Sequence, residues 1–368
     1  MKENDRTIFK YLNPIDNDII SELKDKDLEQ VILYLDRYYL EYRNTLGIDK
    51  NITFGIEIEI EHFKCKINEF YDFQLLINEV VGNDNWQTKN DLSLYNGDID
   101  FGREISSDIL IDTRKSWIDI ENVCKIASSY GTIGNKCGAH VHVGAQILGN
   151  NTLYWYRFLR LCSIYENIIY RFGYGEYLTP RDTIMKKTMP AAFVYDSKLP
   201  IIEKMLNSDL VQLLHKLNPG NKDGLDSLKY YGISFWHMLC DDNYDLYKDY
   251  NVFNKYCSVE YRAPNGTLDY IIWQNNINFF IKLLLYCKSS SFNDDILNNR
   301  RISVCNILGD IQKYSEIYFE QAIELADLIF DNNLDKIYFL RQYLKSFEKS
   351  DKFFAKSKKF TMAELVKC

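Results

Sequence analysis

Residues 54–63 read FGIEIEIEHF, with Glu57, Glu59 and Glu61 alternating with isoleucines. A period of two is the signature of a β-strand, in which successive side chains point to opposite faces. Such a strand presents an apolar face that must meet a core and an acidic face that must meet water or a cation. On that second face the carboxylates repeat about every 7 Å. Each like-charge pair then repels by roughly 2 kcal/mol at an effective dielectric near 20. The stretch therefore poses a choice between a solvated sheet face and a wall of a cation site.

A core for the isoleucines is available. The chain has 368 residues, 46% hydrophobic and 15% aromatic, enough for one large domain with extensions or for two domains. The net charge of −8 argues against nucleic acid or an anionic membrane as the default partner. The opening MKENDRTIFKYLN has no apolar run of signal-peptide length. The most apolar stretch, INFFIKLLLYC (277–287), is broken by Lys282 and too short to span a bilayer. Nine cysteines, odd in number and without paired spacing, fit buried reduced thiols. A soluble, cytoplasmic protein is expected.

Helical spacing of Ile20, Leu23, Leu28, Val31, Leu35 and Tyr39 predicts an N-terminal helix over 18–46, stopped by Gly47. Strands are predicted over 52–64 and 101–110. A helix follows at 116–127, with Ser116 as its cap, Asp119 completing a capping box and Gly131 beyond its end. GAHVHVG (138–144) reads as a glycine-bounded strand, and an aromatic helix is predicted over 153–172. Prolines at 180, 190, 200 and 219 punctuate a mixed region. SVEYRA (258–263) is a further strand, leading into a helix over 270–286. KSSSFNDD (288–295) reads as a linker, and helices continue from Ile317 toward a basic tail. Strands and helices do not alternate regularly, so the expected class is α+β, with a sheet and flanking helices, rather than a doubly wound sheet. The expected division is a helical extension over 1–50, a central domain over 51–288 and a helical region over 289–368.

Four segments carry polar groups that strands usually shed. They are Glu57, Glu59 and Glu61; DLSL (91–94) with GREISSDIL (102–110); His140 and His142; and Glu260 with Arg262. In the first, third and fourth, i and i+2 spacing puts like-acting groups on one strand face. Carboxylates with an imidazole suit Mg²⁺ or Mn²⁺ better than zinc. Several acidic ligands can hold two ions about 3.5–4 Å apart, the arrangement that clamps a transferring phosphoryl group. Arg262 suits bidentate contact with phosphate or carboxylate. Each element also has an ordinary structural reading. The Glu strand can be a wet face and the histidines surface groups. Glu260 and Arg262 can be a salt bridge, Asp91 and Ser93 turn formers, and Cys137 a packing residue.

Taken in order, FGIEIE, W(x4)DLSL, GREISSDIL, CGAHVHVG and VEYRAPNGTLDY resemble the amidoligase family, over about residues 52–287. That family belongs to the carboxylate–amine ligases of the glutamine synthetase and glutamate–cysteine ligase type. The resemblance implies a curved antiparallel sheet that holds ATP and divalent ions on its concave face. It gives metal-binding roles to Glu57, Glu59, Glu104, His140 and Glu260. His142 corresponds to a nucleotide-phosphate contact, and Arg262 to the arginine that holds phosphate or acyl-phosphate oxygens. Glu57, Glu59, Glu260 and Arg262 are thus the expected catalytic set, with ATP and Mg²⁺ or Mn²⁺ as cofactors. The implied reaction is attack of a substrate carboxylate on the γ-phosphate of ATP, then displacement of phosphate by an amine.

The amine acceptor can be a small molecule, a peptide or a protein. Self-association through the terminal helices is a further expectation. Lys229, with Arg181, Lys186 and Lys187, lies where nucleotide or substrate contacts are expected. Glu61 has no counterpart in the motif, Asp91 stands at the acidic position of the D-x-S turn, and Ser258 replaces a common threonine. The alternatives are a non-catalytic ATP- or metal-binding module and, behind it, a metal-dependent hydrolase.

Overall fold

In the computed structural model, residues 42–61, 70–94, 102–134, 136–174, 232–239, 257–304 and 318–348 are described. Ile56, Ile58 and Ile60 on β1 (Phe54–Ile60) are at most 1% exposed, as the alternation requires. Among the described residues, five further strands join it in one sheet: β2 (Gln87–Asp91), β3 (Gly102–Ser106), β4 (Ala139–Gly144), β5 (Ile233–Ser234) and β6 (Ser258–Tyr261). Their order is β2-β3-β1-β4-β6-β5, and every pairing is antiparallel. The fold is α+β, as the irregular order of strand and helix patterns predicts.

The sheet has two unlike faces. Ile56, Ile58, Ile60, Ile105, Val141, Val143, Val259 and Tyr261 form the apolar one, all buried in a single core. Helices α1 (Phe70–Val81) and α2 (Arg114–Tyr130) pack together, and α6 (Tyr270–Lys288) packs on β4. The predicted helix over 153–172 is interrupted at Tyr165, giving α3 (Thr152–Ile164) and α4 (Glu166–Tyr174). A short helix α5 (Trp236–Leu239) lies against β6. The stretch read as a linker is a tight turn: α6 runs to Lys288 and α7 (Asp294–Val304) begins five residues after its cap, Ser289. Buried residues of α8 (Phe319–Ile329) and α9 (Asn333–Glu348) share the core of the sheet.

Two local expectations are corrected. Most of the predicted N-terminal helix falls outside the described residues, and 42–46 are not helical. The Leu46 and Ile48 N–H groups instead donate to the carboxylate of Asp112, and Gly47 between them turns through the left-handed region at φ 72°. Helix α2 starts earlier than expected. Thr113, extended at φ −130° and ψ 153°, accepts from Ser116 N–H, so Thr113 and not Ser116 is the cap. Asp119 pairs with Lys115 rather than closing a capping box, while Gly131 does end the helix.

Helix α6 carries QNNIN on its buried surface. Gln342 of α9 donates to Asn276 Oδ1 and to the Phe172 carbonyl, and Asn275 donates to Gln342 Oε1 and the Tyr338 carbonyl. Buried amides tolerate burial when bonded in this way, so the seam fixes α9 against α4 and α6.

Candidate metal centre

Register carries the polar residues to the second face of the sheet. Glu57 pairs with His140 across β1 and β4, and Glu59 pairs with Glu104 across β1 and β3. His142 pairs with Glu260 across β4 and β6, and Lys89 with Glu104 across β2 and β3. Four strands thus contribute Glu57, Glu59, Glu104, His140, His142 and Glu260 to one surface, opposite the apolar face.

Contacts within this surface are short. His140 Nδ1 lies 3.0 Å from Glu57 Oε2 and 3.5 Å from Glu260 Oε1, and its Nε2 lies 3.5 Å from Glu59 Oε1. His142 Nε2 is 3.3 Å from Glu57 Oε1, and its Nδ1 is 3.2 Å from Ser258 Oγ. Arg262 donates from Nη1 to Glu260 Oε1. The side chains of His140 and Glu260 are only 2% and 1% exposed, so these charges and dipoles compensate one another away from water.

Among the described residues, two sets of donor atoms are close enough to share an ion: Glu57, His140 and Glu260, and His142, His237 and Glu260. Glu59 adjoins the first set through His140, and its Oε2 also accepts from Gly138 N–H. Glu104 sits further along the row, held by Ser106 Oγ at 2.9 Å and by Lys89 Nζ at 2.6 Å.

The charges perturb one another strongly. Burial works to raise Glu57, yet His142 and His140 hold its carboxyl well below the usual range. Burial likewise opposes ionisation of Glu260, and the charges of Arg262, His142 and His140 outweigh it and lower the group. Glu104 is raised, by burial and by the charge of Glu57, against the pull of Lys89. Burial would lower His142, but Glu57 and Glu260 raise it. His237, though partly exposed, is lowered by desolvation on its inner side and by neighbouring His142.

Glu61 and Asp91 have other work. Glu61 is buried at the end of β1, where its Oε1 accepts from Lys136 N–H at 3.1 Å. Its backbone pairs with Thr132, and its carboxylate fills the space beside Gly134. Asp91 Oδ1 accepts from Ser93 N–H at 2.8 Å, the turn-forming role the sequence allowed. Lys229, Arg181, Lys186 and Lys187 lie outside the described residues.

Two residues at the site escape a reading of the sequence. Lys89 stands in QTKND, which has no apolar alternation, and its role emerges only from pairing with β3. His237 is carried by a four-residue helix with no periodic pattern, yet its Nε2 lies 3.8 Å from Glu260 Oε2. Beside these groups opens a groove of about 190 Å³, lined by Thr53, Gly55, Glu57, His142, His237 and Ser258 among others.

Compared with known proteins, the chain matches no family model, and no curated protein matches it. No helix among the described residues is long and apolar enough to cross a membrane.

Proposed function

We propose that this chain is a cytoplasmic, ATP-dependent carboxylate–amine ligase of the glutamine synthetase-like kind, forming an amide through an acyl phosphate. One relationship carries the reading: Glu57 on β1, His140 on β4 and Glu260 on β6 converge on one buried patch of a single antiparallel sheet. These are residues to which the amidoligase resemblance gives metal-binding roles.

The donor set fits the expected ion. Two carboxylates and one imidazole suit Mg²⁺ or Mn²⁺, and the mutual repulsion of buried carboxylates is relieved by a cation. Glu57, His140 and Glu260 would hold it, with Glu59 beside His140. When bound, the ion supplies neutralisation of phosphate oxygens and favours transfer of the γ-phosphoryl group.

The remaining work falls to side chains of the protein. Arg262 is a fixed guanidinium beside Glu260, suited to orienting a phosphate or carboxylate by paired hydrogen bonds. Lys89, 58% exposed at the other end of the row, draws anionic substrate toward the sheet. The burial of His140 and Glu260 keeps water from their donor atoms, which strengthens every electrostatic contact there. The carboxylate and amine substrates would enter along the groove that borders Glu57.

The test is ADP release by purified chain with Mg²⁺, ATP and a panel of carboxylates and amines that includes peptides and proteins. Release is expected to require both substrates and to fall about 100-fold or more in Glu57→Gln and Glu260→Gln. ATP binding without any carboxylate-dependent ADP release would overturn the reading. Amide cleavage with no need for ATP would favour a metal-dependent hydrolase instead.

A further inference from the structure

We infer that His142, His237 and Glu260 form a second, nitrogen-rich metal position that takes a borderline divalent ion, Zn²⁺ or Co²⁺, in preference to Mg²⁺. The resemblance gives His142 a phosphate contact and His237 no role at all, so the inference departs from both.

Geometry supports it from three sides. Glu260 Oε1 lies near His140, His142 and Arg262, whereas Oε2 is 3.8 Å from His237 Nε2. One carboxylate thus borders both sets, and its Oε2 lies toward His237. His142 Nε2 is buried between two carboxylates, 3.3 Å from Glu57 Oε1 and 3.9 Å from Glu260 Oε1. Its Nδ1 is held at 3.2 Å by Ser258 Oγ. A ring whose Nδ1–H donates to Ser258 presents the Nε2 lone pair to a metal, the usual outer support of a ligating histidine.

The third side is His237, which meets His142 edge to face with ring centroids 4.8 Å apart. It is carried by α5, whose approach is fixed by pairing of β5 with β6 and by Met238 N–H bonding the Phe235 carbonyl. The ligating atoms of all three residues fall within 4.8 Å of one another. Two imidazoles and one carboxylate are the ligand type of open zinc sites, whereas Mg²⁺ prefers oxygen and keeps its waters. The groove lined by His142 and His237 leaves room for water or a substrate oxygen at a further position.

The test uses the full chain, stripped by a chelator and then titrated with Co²⁺ and Zn²⁺ with no nucleotide present. Co²⁺ is followed by its visible absorption and Zn²⁺ by calorimetry; Mn²⁺ uptake is followed separately by paramagnetic resonance. His237 is 41% exposed on its short helix, so His237→Ala and His237→Gln are expected to fold like the parent, checked by circular dichroism. Both variants should bind Co²⁺ and Zn²⁺ at least tenfold more weakly and lose the Co²⁺ spectrum of the parent. Their Mn²⁺ binding, at Glu57, His140 and Glu260, should stay within twofold.

Unchanged Zn²⁺ affinity and Co²⁺ spectrum in His237→Ala would overturn the inference. So would a parent chain from which equimolar Mg²⁺ displaces Zn²⁺, or one that binds no Co²⁺. The readout is metal occupancy, so a failure of the ligase reading leaves this result standing, and the reverse holds too.

Discussion

Arg262, just beyond the end of β6, donates from Nη1 to Oε1 of Glu260, the carboxylate two residues before it in the chain. Glu260 is 1% exposed, so without that partner its charge lies buried, offset among the described residues by the nearby imidazoles. Breaking a buried pair from one side typically costs about 3–5 kcal/mol, because the remaining charge is uncompensated. Arg262→Gln is therefore expected to destabilise the metal-free chain by about 3 kcal/mol in urea unfolding. Mn²⁺ should restore more stability to this variant than to the parent, since it supplies the missing positive charge. Equal Mn²⁺ effects in the two would show that Arg262 and the cation do not share Glu260.

Glu57 and Glu61 come from one alternating strand but should respond oppositely to metal. Glu57 faces His140 and His142, while Glu61 holds the Lys136 N–H beside Gly134. At 100 times its dissociation constant, Mn²⁺ should stabilise the parent by about 2.7 kcal/mol. Glu57→Gln should lose most of that gain. Glu61→Gln should keep it, yet start from a chain weaker by about 1–3 kcal/mol, because a buried turn loses its acceptor. Thermal unfolding with and without Mn²⁺ separates the two.

The difference between Glu57 and Glu61 marks where sequence reading stops. Alternation is local, so the faces of β1 and β4 are legible from FGIEIEI and HVH alone. Register is not local: Glu57 and His140 meet across 83 residues, and nothing in either segment sets the pairing. β2 leaves no pattern in QTKND, because it is an edge strand that joins through its backbone and buries no apolar face. Helix α1 is written in its sequence, since Phe73, Ile77 and Val81 repeat at helical spacing and are all buried. His237 was not legible, because its position depends on how a four-residue helix lies on β6.

Asp112 ties the segment before β1 to helix α2. Its carboxylate accepts from Leu46 and Ile48 N–H at 2.9 and 2.8 Å and from the Trp117 indole at 2.7 Å. All three donors are left without an acceptor in Asp112→Ala. Hydrogen bonds to a charged acceptor are worth about 1.5–3 kcal/mol each, and stranded buried donors add to the loss. The variant is expected to be less stable by about 3 kcal/mol or more, with Mn²⁺ affinity unchanged in whatever fraction is folded. A fall in Mn²⁺ affinity would mean that this clasp also positions β1.

His142 and His237 touch, yet their surroundings push them in opposite directions from the ordinary imidazole value of 6.5. Facing them are Glu57 from β1, Glu260 from β6, Arg262 just beyond the end of β6, and each other. In the metal-stripped chain, ring-proton resonances should show His142 titrating above 6.5 and His237 below it. Glu57→Gln should bring His142 down by removing the charge that raises it. The sign for stability follows from linkage. The raised His142 contributes stability that is complete below 6.5 and is lost as pH rises through its folded value. The lowered His237 contributes stability present above 6.5 and lost as pH falls. His237→Gln removes that second contribution, so the stability of this variant should fall more steeply with rising pH than that of the parent. A parent and variant with parallel profiles in urea unfolding from pH 5 to 9 would mean that the two rings do not sense the carboxylates as their positions require.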